Sequence, residues 1–153
     1  MARGEEGTQL VEMAIVTPVL IVILAGLSEF GLYLHAYTTL VKATRAGARY
    51  ASTLQTKCGD DPGTRHFVVY GTPVPADDSK PAVKGLSTEN VEIKCCPANL
   101  GSLPQVEVKI VGYEYKPIFN LGALIGAGSI AFPLGPSTKM VYVGGASPPL
   151  TCS

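Results

Sequence analysis

Charge is what this chain has least of. Charged residues make up 16% of its 153 residues, and the 12 Lys and Arg balance the 12 Asp and Glu, leaving a formal net charge of zero. Soluble domains carry about a quarter charged residues, so so low a share on a short chain implies that part of it lies in lipid. A zero balance implies no basic surface for nucleic acid. Motifs for chemistry are missing as well. The two histidines, His35 and His66, are far apart, and no C-x-x-C or H-x-x-x-H pair occurs to suggest zinc. There is no G-x-S-x-G and no phosphate-binding loop; Gly122 to Gly128 is glycine-rich but lacks the lysine and the strand-to-helix setting. Asp60-Asp61 and Asp77-Asp78 read as solvated turn acids, or at most weak cation sites. No cofactor, no metal and no enzymatic activity are therefore expected. Tryptophan is absent, whereas 17 glycines and 12 prolines, mostly after Ser52, mark a turn-rich distal part. The length is that of one domain.

What is abundant is apolar sequence near the N-terminus. From Met13 to Leu34 the only charge is Glu29. As a helix these roughly 22 residues span about 33 Å, enough for a hydrocarbon core of about 30 Å. The run is too long for a secretory signal, no small-x-small site follows it, and helix-compatible residues continue to about Leu54, so the segment should remain as an anchor. Pro18 and Gly26 lie within it; membrane helices tolerate both, and Gly26 offers a neighbouring helix a close approach. Glu29 reads as a solvated carboxylate near the outer interface. Glu12 opens the apolar run with no cation one turn away, so its counter-charge must come from another chain or from a free amino terminus.

The order of these features carries a resemblance. Gly7 followed by Thr8-Gln9-Leu10-Val11-Glu12 looks like a type IV prepilin cleavage site. With Met13-Ala14, Pro18, Glu29-Phe30-Gly31 and Ala43-Thr44-Arg45-Ala46-Gly47-Ala48-Arg49, it resembles the TadE-like family, pseudopilins of the tight-adherence pilus system. The C-terminal part resembles that family too: an alternating strand from Val106 to Lys116, a Gly-rich apolar segment, then a short strand ending near Met140. The stretch from about Lys57 to Glu89 carries no such likeness. The resemblance implies a leader over residues 1–7 removed by a prepilin peptidase between Gly7 and Thr8. It also implies that Glu12 neutralises the new amino group of Thr8 on an adjacent subunit, a pairing that spares a carboxylate at the lipid boundary from standing alone. Met13 stands where the family often has an aromatic residue.

Orientation draws on opposed signals. Cation counting sets Arg3 against Lys42, Arg45 and Arg49 and by itself favours an inside C-terminus. The resemblance and the cysteines favour a C-terminal domain outside the cytoplasm, and that orientation is the one expected, in a bacterial cytoplasmic (inner) membrane.

Beyond the membrane the helix should continue over residues 35–56. Leu40, Ala43, Gly47, Ala51 and Leu54 form one apolar stripe, its small members suited to close approach by a sheet or helix. Lys42, Arg45 and Arg49 form a basic face, either solvated or in contact with lipid headgroups or a partner's acids. Residues 57–153 should fold as a small β-rich domain. Cys58 to Lys84 reads as loop, with Pro73, Pro75 and Pro81 against helix and a short strand at His66 to Tyr70. Strands are predicted at Val91–Cys95, at Gln105–Tyr115 with Val106, Val108 and Ile110 inward, and within Thr138–Gly144, with a turn region over Pro97–Pro104. The apolar stretch Pro117 to Leu134 could pack internally, dip into the membrane interface or meet a partner. Cys58, Cys95, Cys96 and Cys152 are disulfide candidates in an oxidising compartment, free thiols being the alternative. A Cys95–Cys96 bond would be strained, so Cys58 should pair with one of the two and Cys152 with the other.

The fold expected is thus α+β: a long N-terminal helix, transmembrane over residues 8–34, packed farther on by a small antiparallel sheet. The function expected is a pseudopilin or minor pilin of a Tad-type pilus, with other pilin-like subunits, assembly machinery, prepilin peptidase and membrane lipid as partners. A membrane-tethered binding or adhesion domain outside any filament, or the main filament subunit, are the alternatives.

Overall fold

A computed structural model describes residues 3–54, 61–96, 103–119, 126, 128 and 131–143. The elements run α1 (Arg3–Thr53), α2 (Pro62–Tyr70), a 3₁₀ turn (Thr88–Asn90), β1 (Val91–Cys96), β2 (Gln105–Ile110), β3 (Tyr113–Tyr115), β4 (Phe132–Leu134) and β5 (Ser137–Val141). This is the α+β arrangement expected, with one long apolar helix and a small antiparallel sheet. The chain divides into two compact units: Met1–Leu34 with Lys116–Ile130, and His35–Tyr115 with Ala131–Ser153.

In the second unit the sheet order is β1-β2-β5, antiparallel throughout. Alternation in β2 sends Val106, Val108 and Ile110 inward, all fully buried, while Glu107 and Lys109 point away. Register places Ile93 opposite Val108 and Cys95 opposite Val106 on one side of β2, and Met140 opposite Val106 on the other. Cys95 and Val106 meet Ala51 of α1, with Ile93 and Met140 packed beside them. On the outer face Lys139 pairs with Glu107 at 3.4 Å, its register neighbour.

The face of α1 that carries this sheet is broader than the apolar stripe predicts. Ala36, Leu40, Thr44, Ala48 and Ser52 are buried along one line, with Gly47 and Ala51 beside it, whereas Ala43 and Leu54 are only half-buried. Counting apolar side chains missed Thr44 and Ser52, which are buried because their hydroxyls have acceptors at hand. Thr44 Oγ1 donates to the Val41 carbonyl at 3.0 Å and lies 3.1 Å from Thr138 Oγ1 of β5; Ser52 Oγ donates to the Arg49 carbonyl at 2.8 Å. The end of α1 is closed by the two residues that follow β5: Val143 N donates to the Ser52 carbonyl at 3.0 Å and the Tyr142 hydroxyl to the Leu54 carbonyl at 2.7 Å.

Two expectations are corrected. Residues 62–70 form a helix, not a loop with a strand at His66 to Tyr70. Asp61 is the N-cap, its Oδ2 accepting from Thr64 N at 2.7 Å and from Thr64 Oγ1 at 2.9 Å; Pro62 opens the helix and Gly71 closes it, its N–H donating to the Phe67 carbonyl. The turn chemistry at Asp61-Pro62 is therefore a helix start. Thr64, Val68 and Val69 are buried, and Phe67 stacks on Tyr50 of α1 with centroids 5.0 Å apart, so packing holds a helix too short to persist alone. Asp61→Ala should cost about 1 kcal/mol, seen as faster hydrogen exchange in the first turn of α2 and unchanged exchange in β2.

The long strand expected over Gln105–Tyr115 is two strands. Gly112 has φ +65, a left-handed conformation that ends β2 and starts β3 on a new path. Asn90 secures the bend: its Nδ2 donates to the Val111 carbonyl at 3.1 Å and its own carbonyl accepts from Val111 N at 2.8 Å. β3 then pairs with β4, which the sequence reading did not foresee, in a two-stranded ribbon. Burial holds the Tyr113 phenol in its protonated form above the usual tyrosine range, and its hydroxyl donates to the Lys84 carbonyl at 3.1 Å.

Candidate functional site

α1 carries Gly7, Thr8, Glu12, Pro18 and Gly26 on one helix. Its most apolar window has a mean hydropathy of 2.5, and among the described residues none of that window is buried. A soluble core helix of such composition would be enclosed; this one is long and apolar enough to cross a membrane. Gly7, Thr8, Glu12 and Pro18 are exposed, and a Cβ built at Gly7, Gly26 or Gly31 meets no atom within 4 Å. Gly26 is half-buried, and among the described residues no side chain stands where its Cβ would be. Among the described residues, Glu12 makes no hydrogen bond or ion pair. The Gly7–Thr8 bond lies inside the helix, and Pro18 withholds one backbone donor within it.

Glu29 is not the solvated carboxylate expected. Its Oε1 and Oε2 accept from Ile118 N at 3.1 and 3.2 Å, and Oε2 also accepts from Phe119 N at 3.1 Å. All three residues belong to the first unit. The internal packing that Pro117 to Leu134 allowed is not what Ile118 and Phe119 do: their side chains are 71% and 51% exposed. A lone acid in an apolar run, with no cation near it, was the only sequence sign of this contact.

Lys42, Arg45 and Arg49 lie exposed along α1 as expected of a basic face. Arg45 and Arg49 border a surface groove with Ala46, Tyr50, Thr53, Phe67 and Met140. Among the described residues neither arginine is in a salt bridge, so the groove is positive and has one aromatic wall. No three His, Cys, Asp or Glu side chains come together as a metal site among the described residues.

Of the cysteines, Cys95 is disulfide-bonded and buried in the core against Ala51 and Val106. Cys58, Cys152 and the side chain of Cys96 lie outside the described residues, and the predicted pairings with them.

In comparison with protein families, residues 7–49 fit the sequence model of the family described as TadE-like protein. That match spans the proposed cleavage site, the apolar run and the basic face, all within α1, and bears out the resemblance over this segment. Comparison with curated proteins and with solved structures gives no match.

Proposed function

We propose, for a chain whose long helix is TadE-like over residues 7–49, that it is a membrane-anchored pseudopilin, or minor pilin, in the assembly of a Tad-type pilus. The likeness of residues 7–49 to TadE-like proteins supports a part in that pilus system, and an exposed apolar helix long enough to cross a membrane supports anchoring. Its work in this reading is assembly by packing, not catalysis. The observation that carries it is an apolar helix whose most apolar window has no buried residue among those described, entered at Glu12, five residues after Gly7. A carboxylate at that depth is costly unless a cation meets it. Removal of residues 1–7 would create one, the amino group of Thr8. Within a single helix that group sits about one turn from Glu12; between staggered helices it can reach the Glu12 of a neighbour and set their register. Gly26 gives such helices a place to approach.

In this reading the distal domain lies outside the cytoplasm of a bacterial inner membrane. The disulfide at Cys95 supports that orientation, because such bonds persist in oxidising compartments. The exposed Lys42, Arg45 and Arg49 would then face lipid headgroups or the acids of a partner subunit.

Co-expression with a prepilin peptidase, followed by N-terminal sequencing, tests the processing step. The mature chain should begin at Thr8. A chain that still begins at Met1 or Ala2 in the presence of active peptidase defeats the reading.

A further inference from the structure

Two consecutive main-chain N–H groups, of Ile118 and Phe119, close on the Glu29 carboxylate at 3.1 to 3.2 Å. The side chains of the same two residues are mostly exposed. Polar groups are thus turned onto α1 and apolar groups away from it. Glu29 is the only charge between Met13 and Leu34. Measured from Met13 at 1.5 Å per residue, it lies about 24 Å into a hydrocarbon core of about 30 Å. Tyr33 and Tyr37 follow one and two turns later, the residue type that gathers at membrane interfaces. Lys116, exposed two residues before Ile118, has the reach to place its ammonium among phosphates while its stem stays in apolar surroundings.

The geometry points to a second membrane contact. Ile118 and Phe119 seat in the outer leaflet, at the acyl–headgroup boundary, and Glu29 is the clamp that makes this possible. The inference rests on α1 spanning the membrane with the distal domain outside. In water neither the carboxylate nor the two amides would need the other, since both would be hydrated. At the edge of the hydrocarbon each is costly alone: an isolated carboxylate lacks donors, and non-helical backbone is tolerated only where its N–H groups are satisfied. One contact meets both requirements. Lipid is favoured as the occupant by position, because both amides are bound to a carboxylate that stands inside the apolar run of α1.

The absence of tryptophan makes the test clean. Full-length Phe119→Trp, Phe30→Trp and Val74→Trp are each reconstituted into phosphatidylcholine–phosphatidylglycerol vesicles containing lipids brominated near the glycerol. Phe30→Trp reports the span beside Glu29, and Val74→Trp an exposed site of the other unit. Phe119→Trp should emit to the blue of Val74→Trp and be quenched as strongly as Phe30→Trp. Glu29→Leu added to Phe119→Trp should weaken that quenching roughly twofold or more, as two charge-assisted hydrogen bonds are lost, while Phe30→Trp with Glu29→Leu stays quenched. If Phe30→Trp is quenched and Phe119→Trp behaves like Val74→Trp, the lipid contact is wrong and the anchor stands. A Phe119→Trp signal shielded from aqueous iodide but untouched by brominated lipid would mean a protein partner, which also overturns it. Quenching of Phe119→Trp that Glu29→Leu leaves unchanged removes the clamp. If no tryptophan is quenched, the membrane reading of α1 fails first and this inference with it.

Discussion

Gly47→Leu is expected to cost the distal unit about 3 kcal/mol and to leave the apolar half of α1 unaffected. Gly47 is fully enclosed where α2 and β2 meet α1. A Cβ built there collides with Val68 Cγ2 and comes within 3.9 Å of Val108 Cγ1. Val68 is 1% exposed and β-branched, so its side chain has neither the space nor the rotamers to turn aside. Two effects oppose each other in the smaller change, Gly47→Ala. Alanine gains about 1 kcal/mol in helix propensity over glycine, whereas over-packing a filled core typically costs about 1–3 kcal/mol. The collision is with a stiff buried methyl, so the loss should win, and leucine should carry it to the upper end. Urea-dependent proteolysis of the full chain in detergent, with hydrogen exchange in β2, measures this directly. Adding Val68→Ala to Gly47→Ala should recover most of the loss. A Gly47→Ala chain as stable as its parent would contradict the packing described.

Glu12→Gln is the second large effect. The variant should enter the membrane and fold as the parent does, because among the described residues Glu12 makes no hydrogen bond or ion pair. Pilus assembly should nevertheless fall below detection. Breaking a buried ion pair by removing one partner typically costs about 3–5 kcal/mol, because the remaining charge stays uncompensated, and here that charge would be the Thr8 amino group of the next subunit. Filament yield by electron microscopy, beside immunoblots for membrane-bound chain, separates assembly from stability. If the chain were a tethered binding domain with no part in a filament, Glu12→Gln would leave function intact, and charge reversal at Arg45 and Arg49 in the groove would be the damaging change.

Much of this molecule is written locally. The apolar run and its Gly7–Glu12 entrance depend on composition and spacing over a few turns, and both can be read directly. The alternation of Val106, Val108 and Ile110 fixes which side of β2 is inward without knowledge of any neighbour. The small residue at Gly47 announces a close approach, though not by what. Where turn residues and helix starts share a vocabulary, as at Asp61-Pro62, local reading chose the wrong alternative, because burial of Val68 and Val69 decides it.

Sequence by itself therefore determined the apolar run long enough to cross a membrane, the strand faces and the family likeness of residues 7–49, all of which follow from periodicity or spacing within one segment. Tertiary structure alone decided that Thr44 belongs to the core, since its partner Thr138 is 94 positions away. It alone decided that Glu29 is held, since the amides that hold it are 89 and 90 positions away. A polar group's cost of burial depends on whether a partner arrives, and no local pattern records the arrival of a segment so distant along the chain.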